Sequence, residues 1–141
     1  MRVVLDSNVV ISALLSPRGA PARVLGHWEV GTYDLVSSPP LLEELERALN
    51  YPKILKYLQK TGANPAVLVE RFRKLALMVA PAEDLNIIQE DPSDNQVLAA
   101  AAAGGASLII SGDQHLLAVK DFRGIQILPQ AGFLILLESR E

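Results

Sequence analysis

The chain has 141 residues, half of them hydrophobic and only 5% aromatic, with no cysteine, two histidines and a formal net charge of −3. That length fits a single domain, 1–141, around one aliphatic core. The composition excludes disulfides, thiolate metal sites and a histidine-rich zinc centre, and no apolar run approaches the roughly 20 residues that a membrane span needs. The first residues, MRVVL, read as a strand and lack the features of a signal peptide, so the expectation is a cytoplasmic protein with no membrane contact. The charge is uneven. Residues 1–80 hold ten Lys and Arg against seven Asp and Glu, whereas residues 81–141 hold three against nine. Five acids and no base lie between Glu83 and Asp94, either as a solvated loop or as a segment that divalent cations neutralise.

In chain order, residues 2–5 read as a short buried strand, and Asn8 to Leu15 is apolar enough to be helix or strand. Ser16 to Gly19 breaks it. A helix from Ala20 to Trp28 ends near Gly31, and Tyr33 to Val36 forms a strand bounded by two serines. Ser38 is a good N-cap with prolines in the first turn, so a helix runs from Pro40 to Leu49 with Leu41, Leu42, Leu45, Ala48 and Leu49 on one stripe. Lys53 to Lys60 is a short basic helix, and Pro65 to Met78 a longer amphipathic one. Ile87 and Ile88 mark a further strand. Asp91 then caps a helix with Pro92 at its first position, and Gly104 and Gly105 stop it. Ser107 to Ile110 is a strand, residues 114–119 make one or two helical turns, Ile125 to Leu128 is a last strand, and Pro129 to Glu138 a closing helix. Strands separated by helices predict an α/β fold, a parallel sheet covered on both faces.

Four acids stand out. Asp6 directly follows the strand RVVL, and Asp113 follows LIIS and Gly112, a glycine that would let the chain turn sharply and aim the next side chain. Asp94 is the third residue of its helix if Asp91 is the cap, where the helix dipole favours an acid by about 0.3–1 kcal/mol. Glu44 sits on the helix after Ser38 with Glu43 and Glu46. At about 100° per residue, Glu43 faces away from the apolar stripe while Glu44 and Glu46 flank it equally, so periodicity leaves the choice open. Turn, cap and solvated-face roles explain each acid taken alone. As a set they lie at the carboxyl rim of a parallel sheet, where ligands bind. Two carboxylates about 5 Å apart repel by roughly 3 kcal/mol at an effective dielectric near 20. Convergence would therefore require a cation, and the hard-oxygen donor set suits Mg²⁺ or Mn²⁺, ions that promote phosphodiester hydrolysis.

The phrases VVLDSNVVISALL, SPPLLEELERAL, DPSDNQVLAAAAAGGASLIISGD and ILPQAGFL, in that order, resemble the PIN domain, in particular the toxin components of toxin–antitoxin pairs. The resemblance spans nearly the whole chain. It implies a PIN-like three-layer fold, selects Glu44 over its neighbours, and implies that Asp6, Glu44, Asp94 and Asp113 are the catalytic and metal-binding carboxylates for one or two Mg²⁺ or Mn²⁺ ions. It also implies supporting roles for Asn8, Ser111 and Asp91. The implied activity is endoribonucleolytic: metal-activated water hydrolyses an RNA phosphodiester and leaves a 5′-phosphate and a 3′-hydroxyl. The implied partners are RNA, a cognate antitoxin and a second copy in a homodimer, and the apolar excess fits a covered surface.

One position departs from that pattern. Relatives often carry an acid two residues after the fourth carboxylate, and here that position is His115, in SGDQHLL. The plainer reading of His115 is a surface helix residue. If it faced the site it would lower the negative charge there. Lys53, Lys56 and Lys60, spaced three and four apart, share a helix face and with Arg18 are the leading candidates for holding the RNA backbone. Arg23, Arg71, Arg73 and Lys74 are further candidates, and Trp28, Tyr51 and Tyr57 are expected to pack, not to stack on bases. Two other readings compete. A small-molecule phosphohydrolase would form a phospho-Asp6, although residue 8 is Asn and breaks the DxD spacing such enzymes use. A non-catalytic PIN-like module would bind RNA or protein without binding Mn²⁺.

Overall fold

A computed structural model describes residues 1–81, 83–88 and 93–139. The elements run β1 (Arg2–Leu5), α1 (Ser7–Leu15), α2 (Ala20–Glu29), β2 (Asp34–Ser37), α3 (Pro39–Leu49), α4 (Pro52–Lys60) and α5 (Pro65–Leu75). They continue with β3 (Leu77–Met78), α6 (Asp94–Ala103), β4 (Leu108–Ile110), α7 (Gln114–Val119), β5 (Asp121–Phe122), β6 (Ile125–Leu128) and α8 (Gln130–Glu138). The strands form one sheet in the order β3-β2-β1-β4-β6-β5, parallel throughout except for the antiparallel edge pair β5–β6. This is the α/β architecture that the alternation of elements predicts, and it fits the three-layer fold that the resemblance implies.

The sheet separates two apolar layers, because successive strand residues point to opposite faces. Val3, Leu5, Leu35, Leu108 and Ile110 join the core beneath α1, α2, α3, α5 and α8, where Phe133 and Leu49 are fully buried. Val4, Val36, Ile109, Ile125 and Ile127 face the other way, onto Val97, Leu98, Ala100 and Ala101 of α6 and Leu116 of α7. The alanine run of α6 lets that helix lie close to the sheet. Trp28 stacks on Phe72 with ring centroids 5.3 Å apart, and the buried Tyr33 hydroxyl donates to the Val24 carbonyl at 2.8 Å.

Several expected boundaries move for identifiable reasons. Ser7–Leu15 is helix, so the ambiguous apolar run after Asp6 resolves to α1. The amphipathic helix from Pro65 ends at Leu75, not Met78, because Ala76 is extended and Leu77–Met78 pairs beside Val36–Ser37 at the sheet edge. Ile87 and Ile88 form no strand. Their N–H groups both donate to Asn95 Oδ1 at 2.9 Å, and the Ile88 carbonyl accepts from Asn95 Nδ2 at 2.8 Å. One buried amide thus replaces a strand ladder and ties this segment to α6. Asp94 is the first residue of α6, not the third, and Ser93 occupies the cap position without a side-chain capping bond. The expected cap Asp91 and the expected first-turn Pro92 lie outside the described residues. Strand β5 carries too few residues to show in the pattern.

Two glycines test this packing. A Cβ on Gly104 would meet Val36 Cγ1 at 2.5 Å and the Ala100 carbonyl at 3.2 Å, and Val36 is buried and β-branched, so it cannot swing aside. Gly112 has open space around it and no left-handed φ, so the sharp turn expected there is not what places Asp113. Gly104→Ala is expected to destabilise by about 1–3 kcal/mol through overpacking, and Gly112→Ala to stay within about 0.5 kcal/mol, both measured by urea unfolding.

Candidate metal centre

The chain adds β2 and β3 on one side of β1, and β4, β6 and β5 on the other. The winding reverses between β1 and β4, and the crevice at the carboxyl ends of such strands is where open α/β sheets bind ligands. The register sets what stands there. Leu5 lies opposite Ile110, so the next residues, Asp6 and Ser111, leave the sheet side by side. The Asp6 N–H donates to the Ile110 carbonyl at 2.9 Å and the Ser111 hydroxyl donates to Asp6 Oδ2 at 2.8 Å. The same hydroxyl oxygen accepts the Asp113 N–H at 2.9 Å. Ser111 is fully buried and couples the two strand ends.

Asp6 is 4% exposed and sits at the cap position of α1. Burial pushes its carboxyl above the usual carboxylate range. The Ser111 hydroxyl pulls the other way, the negative charge of Asp113 adds to the rise, and the N–H groups of Ser7 and Asn8 lower it. Asp6 therefore senses the charge of Asp113. Asp113 caps α7, its Oδ1 accepting from the N–H groups of His115 at 2.8 Å and Leu116 at 3.2 Å. Asp94, at the start of α6, is 5% exposed. Three acids thus stand at the N-terminal ends of three helices, where backbone dipoles offset part of their mutual repulsion.

Asp94, Asp113 and His115 each offer a ligand atom, and these atoms lie within 4.8 Å of one another. The group grades outward, from buried Asp94 through half-buried Asp113 to exposed His115. Neither Asp6 nor Glu44 belongs to this tight group. Asp6 is linked to it through Ser111 and Asp113, and Glu44 lies half-buried on α3, a helix that packs against α6. Asn8 is exposed in the first turn of α1, with only its N–H directed to Asp6. Asp91 lies outside the described residues. His115 carries the third ligand atom of this group. It is half exposed, as a surface helix residue should be, yet its Nδ1 is 3.7 Å from Asp113 Oδ1. Its position two residues after Asp113 was the available signal. The donor set of carboxylate oxygens with one imidazole nitrogen fits a divalent cation.

Among the expected RNA-binding residues, Arg23, Arg71 and Arg73 are engaged with Glu138, Glu29 and Glu70. Arg18, Lys53, Lys56 and Lys60 are exposed, and no ion pair among the described residues includes them. Helix α4, which carries the three lysines, packs against α1 and α3. Tyr51, expected to pack, is 60% exposed at the start of that helix, whereas Trp28 and Tyr57 pack as expected.

The PIN domain family model matches residues 2–115, a span that contains Asp6, Glu44, Asp94, Asp113 and His115. The chain belongs to the PIN-domain family. It is also 31% identical over 121 residues to an uncharacterized protein of Methanocaldococcus jannaschii, MJ1680, covering 86% of this chain and 76% of that protein. PIN domains are generally metal-dependent nucleases acting on nucleic acid, and the acidic cluster of this PIN domain is a candidate metal site. No helix among the described residues is long and apolar enough to cross a membrane.

The raised Asp6 carboxyl makes a signed prediction for the metal-free protein. A folded-state pKa above the unfolded one costs stability once the group ionises, so the cost is fully present near neutral pH and fades as pH falls through the folded pKa. Asn at position 6 removes the buried charge and can still accept from Ser111. In EDTA, Asp6→Asn is expected to melt at or above the wild-type temperature at about pH 7, with the difference shrinking as the pH falls and wild-type Asp6 protonates. Calorimetric melting across an acid pH series checks it.

Proposed function

We propose that this PIN-domain protein is an Mg²⁺- or Mn²⁺-dependent endoribonuclease and the toxin of a toxin–antitoxin pair. The observation that carries the nuclease reading is the convergence of Asp94, Asp113 and His115 within 4.8 Å, with buried Asp6 held beside Asp113 by Ser111. Asp6, Glu44, Asp94 and Asp113 are the carboxylates of the site. A divalent cation held there would supply Lewis acidity at the scissile phosphate and lower the pKa of a bound water, so that hydroxide would be available as the nucleophile. The chain's own groups do the positioning. Ser111 fixes the Asp6 carboxylate, and the N–H groups of His115 and Leu116 fix one Asp113 oxygen. Asn8 and Asp91 are proposed as hydrogen-bonding supports beside the ligands.

Lys53, Lys56 and Lys60, with Arg18, supply positive charge for the RNA backbone, since phosphate contacts position a nucleic acid without reading its sequence. Tyr51 offers one exposed ring beside them for base stacking. The partner reading rests on exposed apolar side chains. Val67 and Leu75 border a groove of about 490 Å³ on α5, whose lining includes none of the acidic site residues. An antitoxin or a second copy of the chain would cover such a surface.

Asp94→Asn and Asp113→Asn each preserve side-chain size and, at position 113, the capping oxygen. Each is expected to lower Mn²⁺-dependent RNA cleavage by about a hundredfold or more, with the far-UV circular dichroism unchanged. Ser111→Ala is expected to cost roughly 10–100-fold, as loss of an outer support does in metal sites. Full metal-dependent cleavage by Asp94→Asn, in protein free of contaminating nuclease, would remove the assignment. A wild-type protein that binds no Mn²⁺ at millimolar concentration would favour the non-catalytic module.

A further inference from the structure

The proposed function assigns roles to the four carboxylates and gives none to His115, although its ring nitrogen stands among them. A histidine on the exposed side of α7 needs no partner. This one has its ligand nitrogen within 4.8 Å of carboxylate oxygens from both Asp113 and Asp94, and Asp94 is buried at the start of a different helix. A surface ion pair with Asp113 accounts for only half of that arrangement. The Nδ1–Oδ1 separation of 3.7 Å is too long for a hydrogen bond, and exposed pairs contribute little.

The separations suit shared coordination better. Ligands about 2.1 Å from one octahedral cation lie roughly 3 Å apart when adjacent and about 4.2 Å apart when opposite. The 3.7 Å pair falls inside that range. The three ligand atoms lie within 4.8 Å of one another, so modest side-chain adjustment, for which the half-exposed imidazole has the most room, would bring them onto one cation. The His115 N–H is held on Asp113 Oδ1, so the start of α7 fixes the backbone that carries the ring.

We propose that His115 is a nitrogen ligand of this centre and biases it toward Mn²⁺ over Mg²⁺. This rests on the metal-centre reading above and adds to it a ligand and a preference. Mg²⁺ is hard, favours oxygen and dehydrates reluctantly, whereas imidazole nitrogen binds the later and softer divalent ions more strongly. An imidazole in place of a carboxylate also removes a negative charge, which weakens the purely electrostatic attraction on which Mg²⁺ depends. The centre is therefore an oxygen–nitrogen site whose outermost ligand sets its selectivity.

The test is pulsed electron paramagnetic resonance of bound Mn²⁺, which detects a directly coordinated ¹⁴N, together with calorimetric titration of Mn²⁺ and Mg²⁺. Wild type is expected to show nitrogen coupling that His115→Ala and His115→Asp both lose and that His27→Ala retains. His115→Ala is expected to weaken Mn²⁺ binding about tenfold, and His115→Asp to narrow the Mn²⁺ to Mg²⁺ affinity ratio by a similar factor. Bound Mn²⁺ without nitrogen coupling in wild type, or coupling that persists in His115→Ala, would overturn the role of His115 while leaving the metal centre standing. Absence of Mn²⁺ binding in wild type, or binding undiminished in both Asp94→Asn and Asp113→Asn, would overturn the centre itself.

Discussion

The parallel pairing of β1 with β4 is the constraint on which the rest depends. With Leu5 opposite Ile110, Asp6 and Ser111 must emerge together at the rim, and Asp113 follows two residues later. A slip of one residue would exchange the side chains that a strand presents to the two apolar layers, so the fit of both layers favours this register. Val4 and Ile109 on one face, and Val3, Leu5, Leu108 and Ile110 on the other, are all buried. The site therefore inherits its geometry from hydrophobic packing and needs no dedicated scaffold.

That placement is electrostatically expensive. Asp6 is buried among groups that include the like charge of Asp113, and its carboxyl is raised in consequence. Asp94 is buried close to Asp113 as well. The N-terminal ends of α1, α6 and α7 and the Ser111 hydroxyl offset part of the cost, but each such contribution is on the order of 1 kcal/mol. A divalent cation would offset far more. The same burial that strains the metal-free state strengthens the attraction for an ion, because the effective dielectric is lower there.

Much of this was readable in the sequence, and the failures have physical causes. The rim positions of Asp6 and Asp113 followed from acids placed immediately after one apolar strand and three residues past the end of another, and Ser38 capped α3 as its position implied, accepting from the Leu41 N–H. The order of the strands, and hence the switch between β1 and β4, is not written in local pattern, because parallel neighbours are distant in sequence. Ile87 and Ile88 look like a strand by composition, yet a single amide, Asn95, takes up their hydrogen bonds. Met78 continued a helical pattern but was drawn to the sheet edge beside Ser37. Helical periodicity could not choose between Glu44 and Glu46. It could not show that the imidazole of His115 would reach the acids either, since that depends on α7 starting at the same rim as α6.

Diffraction from Mn²⁺-soaked crystals at the manganese absorption edge tests the central claim most directly. An anomalous peak about 2.2 Å from oxygens of Asp94 and Asp113, at the carboxyl ends of β1 and β4, is the predicted result. Saturating Mn²⁺ that leaves no peak at this rim, or ordered ions bound only elsewhere, would contradict it.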